Sequence, residues 1–296
     1  MQTFSLQVQQ EFYWGTVLSV GYAGSLGRHL LGIQELNAAA PGSGVAGLPF
    51  FGLGRTASTL FYDDALTDNY NSLQVGMSKR FSHGMSFLAA YTWSKALGYT
   101  SANNLLFNPA NPRADYGPLD YDRQHVFTFI HLLEIPWGMH GNHMIETLPG
   151  GWQLNGIFTW ATGTPLTITT DPLMCASPGN TVFANLNSGV NPVLASGNAY
   201  LNPLAFSAPF GGTPGTLGRG AIFGPGYRNY DMSLFKNFRV HDRFNLQLRG
   251  EAYNLTNTPR FLNPVTNINS PDFGQTVTTI NGAFGRQVNV ALRVIF

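Results

Sequence analysis

Of 296 residues, 10% are charged and 13% aromatic, with 34 glycines; a soluble domain carries about 25% charged residues, so this chain has too little charge to cover a water-facing surface. A net charge of +1, with lysines and arginines scattered along the sequence, excludes nucleic acid as a partner. Cys175 is the single cysteine, which rules out an intrachain disulfide and a cysteine-built metal site and leaves an isolated loop residue.

No apolar run approaches the ~18 residues of a transmembrane helix, so a membrane location would have to be reached through strands. Met1-Gln2-Thr3-Phe4 lacks the basic start and apolar run of a signal peptide. The expectation is therefore a fragment, or a chain whose true start lies upstream.

Alternation of apolar and polar residues predicts nine strands, over residues 3–9, 15–26, 70–81, 85–95, 125–135, 151–170, 229–238, 244–255 and 286–296. In the third strand Leu73, Val75 and Met77 alternate with Gln74, Gly76 and Ser78. The fourth has Phe87, Ala89, Tyr91 and Trp93 in phase. Trp152, Leu154, Phe158 and Trp160 do the same in the sixth, Phe244, Leu246 and Leu248 in the eighth, and Val288, Val290, Leu292, Val294 and Phe296 in the last. Each set lies on one strand face. The fifth strand is apolar in both phases, Val126, Ile130 and Leu132 against Phe127, Phe129 and Leu133, and its faces stay unassigned from sequence.

The interleaved positions distinguish the fold. A soluble sandwich usually covers its outer face with Lys and Glu. Here Gln74, Gln153, Asn155, Asn245, Gln247, Arg249, Glu251, Asn289 and Arg293 supply mainly uncharged polar groups with occasional charges. Such a face suits a wet barrel interior, and these nine residues are the lumen-lining candidates. Lys79 and Lys236 fall in the apolar phase near short turns, where they are expected to snorkel.

Short connections are predicted around residues 11–14, 82–84 and 239–243, with a medium one at 136–150. Long ones are predicted at 27–69, 96–124, 171–228 and 256–285. Short and long ends alternating in this way match an outer-membrane barrel, and four long structureless connections argue against a compact soluble fold. The five tryptophans fit two girdles: Trp14, Trp137 and Trp152 flank short connections, while Trp93 and Trp160 lie toward the other ends of their strands. Trp152 and Trp160 would sit roughly 19 Å apart along a tilted strand, a little inside the ~25 Å apolar band.

No catalytic, cofactor or metal site is predicted. Gly42, Gly44 and Gly47 spell G-x-G-x-x-G without the strand and helix that dinucleotide binding needs. Ala23-Gly24-Ser25-Leu26-Gly27 approaches a nucleophile elbow but lacks its first glycine and its strand-turn-helix setting, and reads as a strand running into a loop. His140, His143 and Glu146 have a ligand-like spacing but fall in a turn. Asp63, Asp64 and Asp68, with Asp115, Asp120 and Asp122, place acidic clusters in two long loops, where solvated carboxylates outweigh Ca²⁺ binding.

The segments Asn69 to Leu97, Tyr121 to Phe129, Gly151 to Ile168 and Asn229 to Phe261, with the closing GRQVNVALRVIF, resemble as an ordered set the barrel of Oar-like TonB-dependent transporters. The resemblance implies an outer-membrane protein with a plug inside its barrel, importing a scarce or large solute with energy passed through TonB. Such barrels are expected to have 22 strands, so residues 1–296 are expected to be the C-terminal part of one, without plug, TonB box or signal peptide. Phe296, a terminal aromatic, resembles the signal read by the barrel-assembly machinery. The expected partners are outer-membrane lipid, that machinery, an unknown solute, and TonB only through an upstream plug. The fold class is thus all-β, an antiparallel transmembrane barrel segment. A structural or adhesive outer-membrane barrel without transport is the second reading, and a secreted soluble β-sandwich enzyme the third.

Overall fold

The computed structural model describes all residues except 100, 102–111, 136–149, 214, 242–243, 280–284 and 296. Nine long strands form one sheet: β1 (Gln2–Phe12), β2 (Thr16–Glu35), β3 (Leu60–Ser82), β4 (Met85–Gly98), β5 (His125–Ile135), β6 (Trp152–Ala161), β7 (Tyr227–His241), β8 (Phe244–Tyr253) and β9 (Gln287–Ile295). Neighbours in sequence are neighbours in the sheet, every pair is antiparallel, and β1 and β9 are its edges among the described residues. This up-and-down order follows from the short turns. Between β3 and β4 only His83 and Gly84 intervene, both at positive φ (54° and 74°), the tight geometry whose twist matches paired strands.

The pairing register carries one apolar face across the sheet. Val8 stands opposite Val20, then Val75, Tyr91, Phe127 and Trp160 follow strand by strand. Farther on, Leu154 faces Leu234, and Leu248 faces Leu292. Val288, Val290, Leu292 and Val294 are 55% to 75% exposed. An apolar surface this wide is costly in water and suited to hydrocarbon. The register also assigns β5: Phe127, Phe129 and Leu133 lie on the apolar face with Tyr91 and Trp160, whereas Val126, Ile130 and Leu132 lie on the other.

Among the described residues no second layer covers the sheet. The buried core sits instead among the long connections, where Leu166, Ile168, Phe183, Ala184, Leu201, Ala205, Phe206, Leu217, Ile222 and Phe273 pack together. Short ladders frame it: Val182–Phe183 with Thr169–Thr170, Asn185–Leu186 with Phe206–Ser207, Val193–Ser196 with Ala199–Leu201, and Ile222–Phe223 with Pro165–Leu166.

Three sequence expectations change here. The strand expected over 151–170 ends at Ala161, and residues after it enter the loop core. β2 and β3 continue past 26 and 70 as a bulged ribbon, with register shifts between Gly27 and Leu30 and between Leu30 and Gly32; Ala23 to Gly27 is strand throughout, and Asp63, Asp64 and Asp68 belong to β3 rather than to a loop. The connections expected to be structureless form a folded cap.

Candidate functional site

The face opposite the apolar one gathers the polar candidates, because the two-residue period of each strand and a register without shifts between them keep them in phase. Gln74 pairs with Gly21 and Thr92, Asn155 with Leu132 and Ser233, Glu251 with Ser233 and Asn289, and Gln247 with Asn237 and Arg293. All nine predicted residues share this face.

Their side chains bond to one another and to polar neighbours such as Ser72, Ser233 and Asn237. Gln153 Nε2 donates to Asn155 Oδ1 at 2.9 Å, Asn155 Nδ2 to Ser233 Oγ at 3.3 Å, and Gln247 Nε2 to Asn237 Oδ1 at 2.8 Å. Arg249 lies 3.4 Å from Glu251 and stacks its guanidinium 4.3 Å from the Phe235 ring centroid. An open cavity of about 390 Å³ lies among Gln153, Asn155, Ser233, Arg249, Glu251 and Tyr253. Near β1 a second, of about 220 Å³, surrounds Gln74 and Gly76. Donors and acceptors lining an open concavity suit hydrogen bonds to a polar group. Ser233, Phe235, Asn237 and Tyr253 join the site without having been predicted, although Asn237 and Ser233 were legible as the same phase of β7.

At the loop end the cap is tied across connections. Asn180 Nδ2 donates to Ala39 O at 2.8 Å, and Ala39 N to Pro178 O at 2.9 Å, joining the first and third long connections. Buried Arg219 donates to Gly98 O at 3.4 Å and lies 3.4 Å from Asp120, joining the third to the second. Asp122 accepts from Ala96 N at 2.9 Å; burial pushes its carboxyl above the usual range, against the pull of that bond and of Lys95. These acids serve structure, and no group of three or more His, Cys, Asp or Glu is placed to hold a metal among the described residues. Cys175 is buried, its thiol 3.7 Å from Pro209 O. Gly42, Gly44 and Gly47 lie in the first cap connection, Gly42 and Gly44 at positive φ.

Four of the five girdle candidates lie among the described residues. Trp14 sits in the β1–β2 turn, 73% exposed, and Trp152 opens β6 under the Lys236 ammonium, 5.2 Å from its ring centroid. Trp93 pairs with His125 near the loop end, where Trp160 stacks on the same imidazole at 6.2 Å. Trp137, Phe296 and the His140, His143 and Glu146 group lie outside the described residues. Both lysines of the apolar face depart from snorkelling. Lys79 Nζ donates to Ser82 O at 2.7 Å and Met85 O at 3.0 Å, and Lys236 Nζ donates to Gly150 O.

No curated protein sequence matches the chain. Among solved structures it is similar to the outer membrane transporter YddB from Escherichia coli, with a TM-score of 0.49 and 10% identity over 99% of this chain and 32% of that one. It is also similar to the siderophore receptor PiuA from Acinetobacter baumannii, with a TM-score of 0.47 and 11% identity over 99% of this chain and 28% of that one. The chain thus spans about a third or less of the length of either structure. The family described as outer membrane beta barrel domain matches residues 1–289, in agreement with an antiparallel meander that exposes one apolar face, and the chain belongs to that family, as an all-β protein of the cell outer membrane.

Proposed function

We propose that the chain is barrel wall of a TonB-dependent receptor or transporter, of the Oar-like type its sequence resembles, and that its polar face lines the path of a scarce or large solute. The observation that carries this reading is the shared phase of that face: polar groups recur on it from Gln7 of β1 to Asn289 of β9, with Val126, Ile130 and Leu132 of β5 set among them, and it ends at a folded cap. On this reading the apolar face meets outer-membrane lipid, the long connections face outward and meet the solute, Phe296 addresses the assembly machinery, and TonB acts through a plug supplied upstream.

The test is solute uptake by cells carrying the whole gene, with TonB present or deleted. Uptake that needs both the barrel and TonB is expected; uptake equal in the two strains sinks TonB dependence. The cap, with its own core, favours a structural or adhesive barrel as the second reading. Cell-surface attachment with no uptake of any solute is the result that would select it.

A further inference from the structure

Where the polar face meets the cap, two arginines share one aromatic ring. The guanidinium carbon of Arg260 lies 3.9 Å from the Tyr227 ring centroid and that of Arg123 lies 5.3 Å from it. Tyr227 opens β7 in register with Ala161, on the same face as Gln153 and Asn155. A ring quadrupole compensates a cation only weakly, and here one ring serves two.

Neither arginine forms an ion pair among the described residues. Arg123 donates from one terminal nitrogen to Thr162 O at 2.6 Å, while Arg260 Nε is buried and has no hydrogen-bond partner among the described residues. Burial lowers the Arg123 pKa, and the Arg260 charge lowers it further against the opposing influence of Tyr227. Two positive charges held this close without a carboxylate are an electrostatic cost that a bound anion would relieve.

Both side chains line an open cavity of about 370 Å³ together with Thr164 and Asn263. Those two bond to each other, Asn263 Nδ2 to Thr164 Oγ1 at 2.8 Å, which fixes a polar part of the same lining. Guanidinium forks match the planar oxygens of carboxylates and the oxygens of phosphates. We propose that Arg123, Arg260 and Tyr227 form an anion subsite that receives a carboxylate- or phosphate-bearing group of the solute. The assignment deepens the transport reading and rests on it for the solute's arrival.

The test is calorimetric titration of the whole chain in maltoside micelles with citrate, then inorganic phosphate, with glycerol as the uncharged control. Citrate or phosphate binding that weakens as NaCl rises is expected. Arg123→Gln and Arg260→Gln should each weaken it about tenfold or more, and Arg260→Lys less. Titration in nanodiscs containing phosphatidylglycerol separates sources of the same chemistry: lost citrate affinity assigns the site to a lipid headgroup, and undiminished affinity to a free solute. The subsite is overturned if neither anion binds, or if both glutamine variants bind as the parent does. Uptake of solutes without anion binding would sink the subsite alone, whereas anion binding in a chain that imports nothing would sink the transport reading alone.

Discussion

The Tyr230 hydroxyl lies 2.9 Å from Nε2 of His131, and the two side chains meet over Gly156, which occupies the strand between them. A Cβ on Gly156 would come 2.5 Å from His131 Nε2 and 2.8 Å from Tyr230 Cε2. Glycine normally weakens a strand by roughly 0.5–1 kcal/mol, so replacing it should help. Here the sign is expected to reverse: Gly156→Ala should destabilise by about 1 kcal/mol, comparable to the bond it displaces. Folding titrations into lipid vesicles would read it, with the loss shrinking in a Tyr230→Leu background. A gain in stability from Gly156→Ala would show that the pair contributes nothing.

Leu73 and Gln74 are adjacent, and the register puts them on opposite faces, Leu73 opposite Tyr22 and Trp93, Gln74 opposite Gly21 and Thr92. Leu73→Arg should therefore cost about 2–4 kcal/mol if it faces the bilayer midplane, and Gln74→Arg far less. Equal losses in paired folding titrations would contradict the assignment of faces.

How much of this was legible depended on whether a strand is set by its own alternation or by its neighbours. β4, β8 and β9 alternate cleanly and stand where expected, as does the half of β3 after residue 70. β5 is apolar in both phases, and only its pairing of Phe129 with Ala89 and Phe158 decides which side meets lipid. The bulges between Gly27 and Gly32 shift the register and hide the outer halves of β2 and β3. The cap was invisible because its core residues, such as Leu201, Phe206 and Leu217, come singly from segments rich in Gly, Pro and Asn, with ladders of two to four residues that show no period. Of the polar site, the nine residues were readable from phase; the Arg123 and Arg260 convergence joins residues far apart in sequence and was not.

Lys79 and Lys236 occupy matched places on the apolar face, each holding carbonyl groups at the short-turn end of its strand. A snorkelling lysine needs only water and tolerates replacement by arginine, whereas one that fits a turn does not. Lys79→Met and Lys236→Met should each cost about 1.5–3 kcal/mol, the usual range for hydrogen bonds to a charged group. The arginine variants should recover little of it. Because β4, β5 and β6 separate the two sites, the double variant should be additive within about 0.5 kcal/mol. Full rescue by arginine in equilibrium unfolding would restore the snorkelling account.

Glu35 closes the ribbon tip. Its carboxylate accepts from Asn37 N at 2.8 Å and Thr59 N at 2.8 Å, and from the Ser58 hydroxyl. Burial alone would raise its pKa, but the Ser58, Thr59 and Asn37 bonds and the Arg55 charge outweigh burial and hold it below the ordinary glutamate value. A depressed carboxyl contributes stability that is full above its unfolded pKa, near 4.5, and is lost as pH falls through the lower folded value. Amide exchange at Asn37 and Thr59, corrected for intrinsic rates, should therefore accelerate as pH falls through that window. In Glu35→Gln it should be fast already at neutral pH and show no such step. A step that survives the substitution would assign the titration elsewhere.

Leu201 and Phe273 reach the cap core from different connections, Leu201 N donating to Gly274 O at 3.0 Å and Phe273 meeting Phe206 edge-on at 5.5 Å. Leu201 is 1% exposed, so Leu201→Ala should cost roughly 2–5 kcal/mol of cap stability. The sheet shares none of this core, so the barrel should be spared. Protease cleavage within residues 171–226 should rise while the heat-dependent shift of the barrel on SDS gels stays unchanged. Phe273→Ala, cut from the last long connection, should expose the same stretch, because the two connections close one core. If either variant lowered the barrel's own melting while leaving the cap resistant, the cap and the sheet would have to be one cooperative unit, and the cap would lose its independence from the sheet.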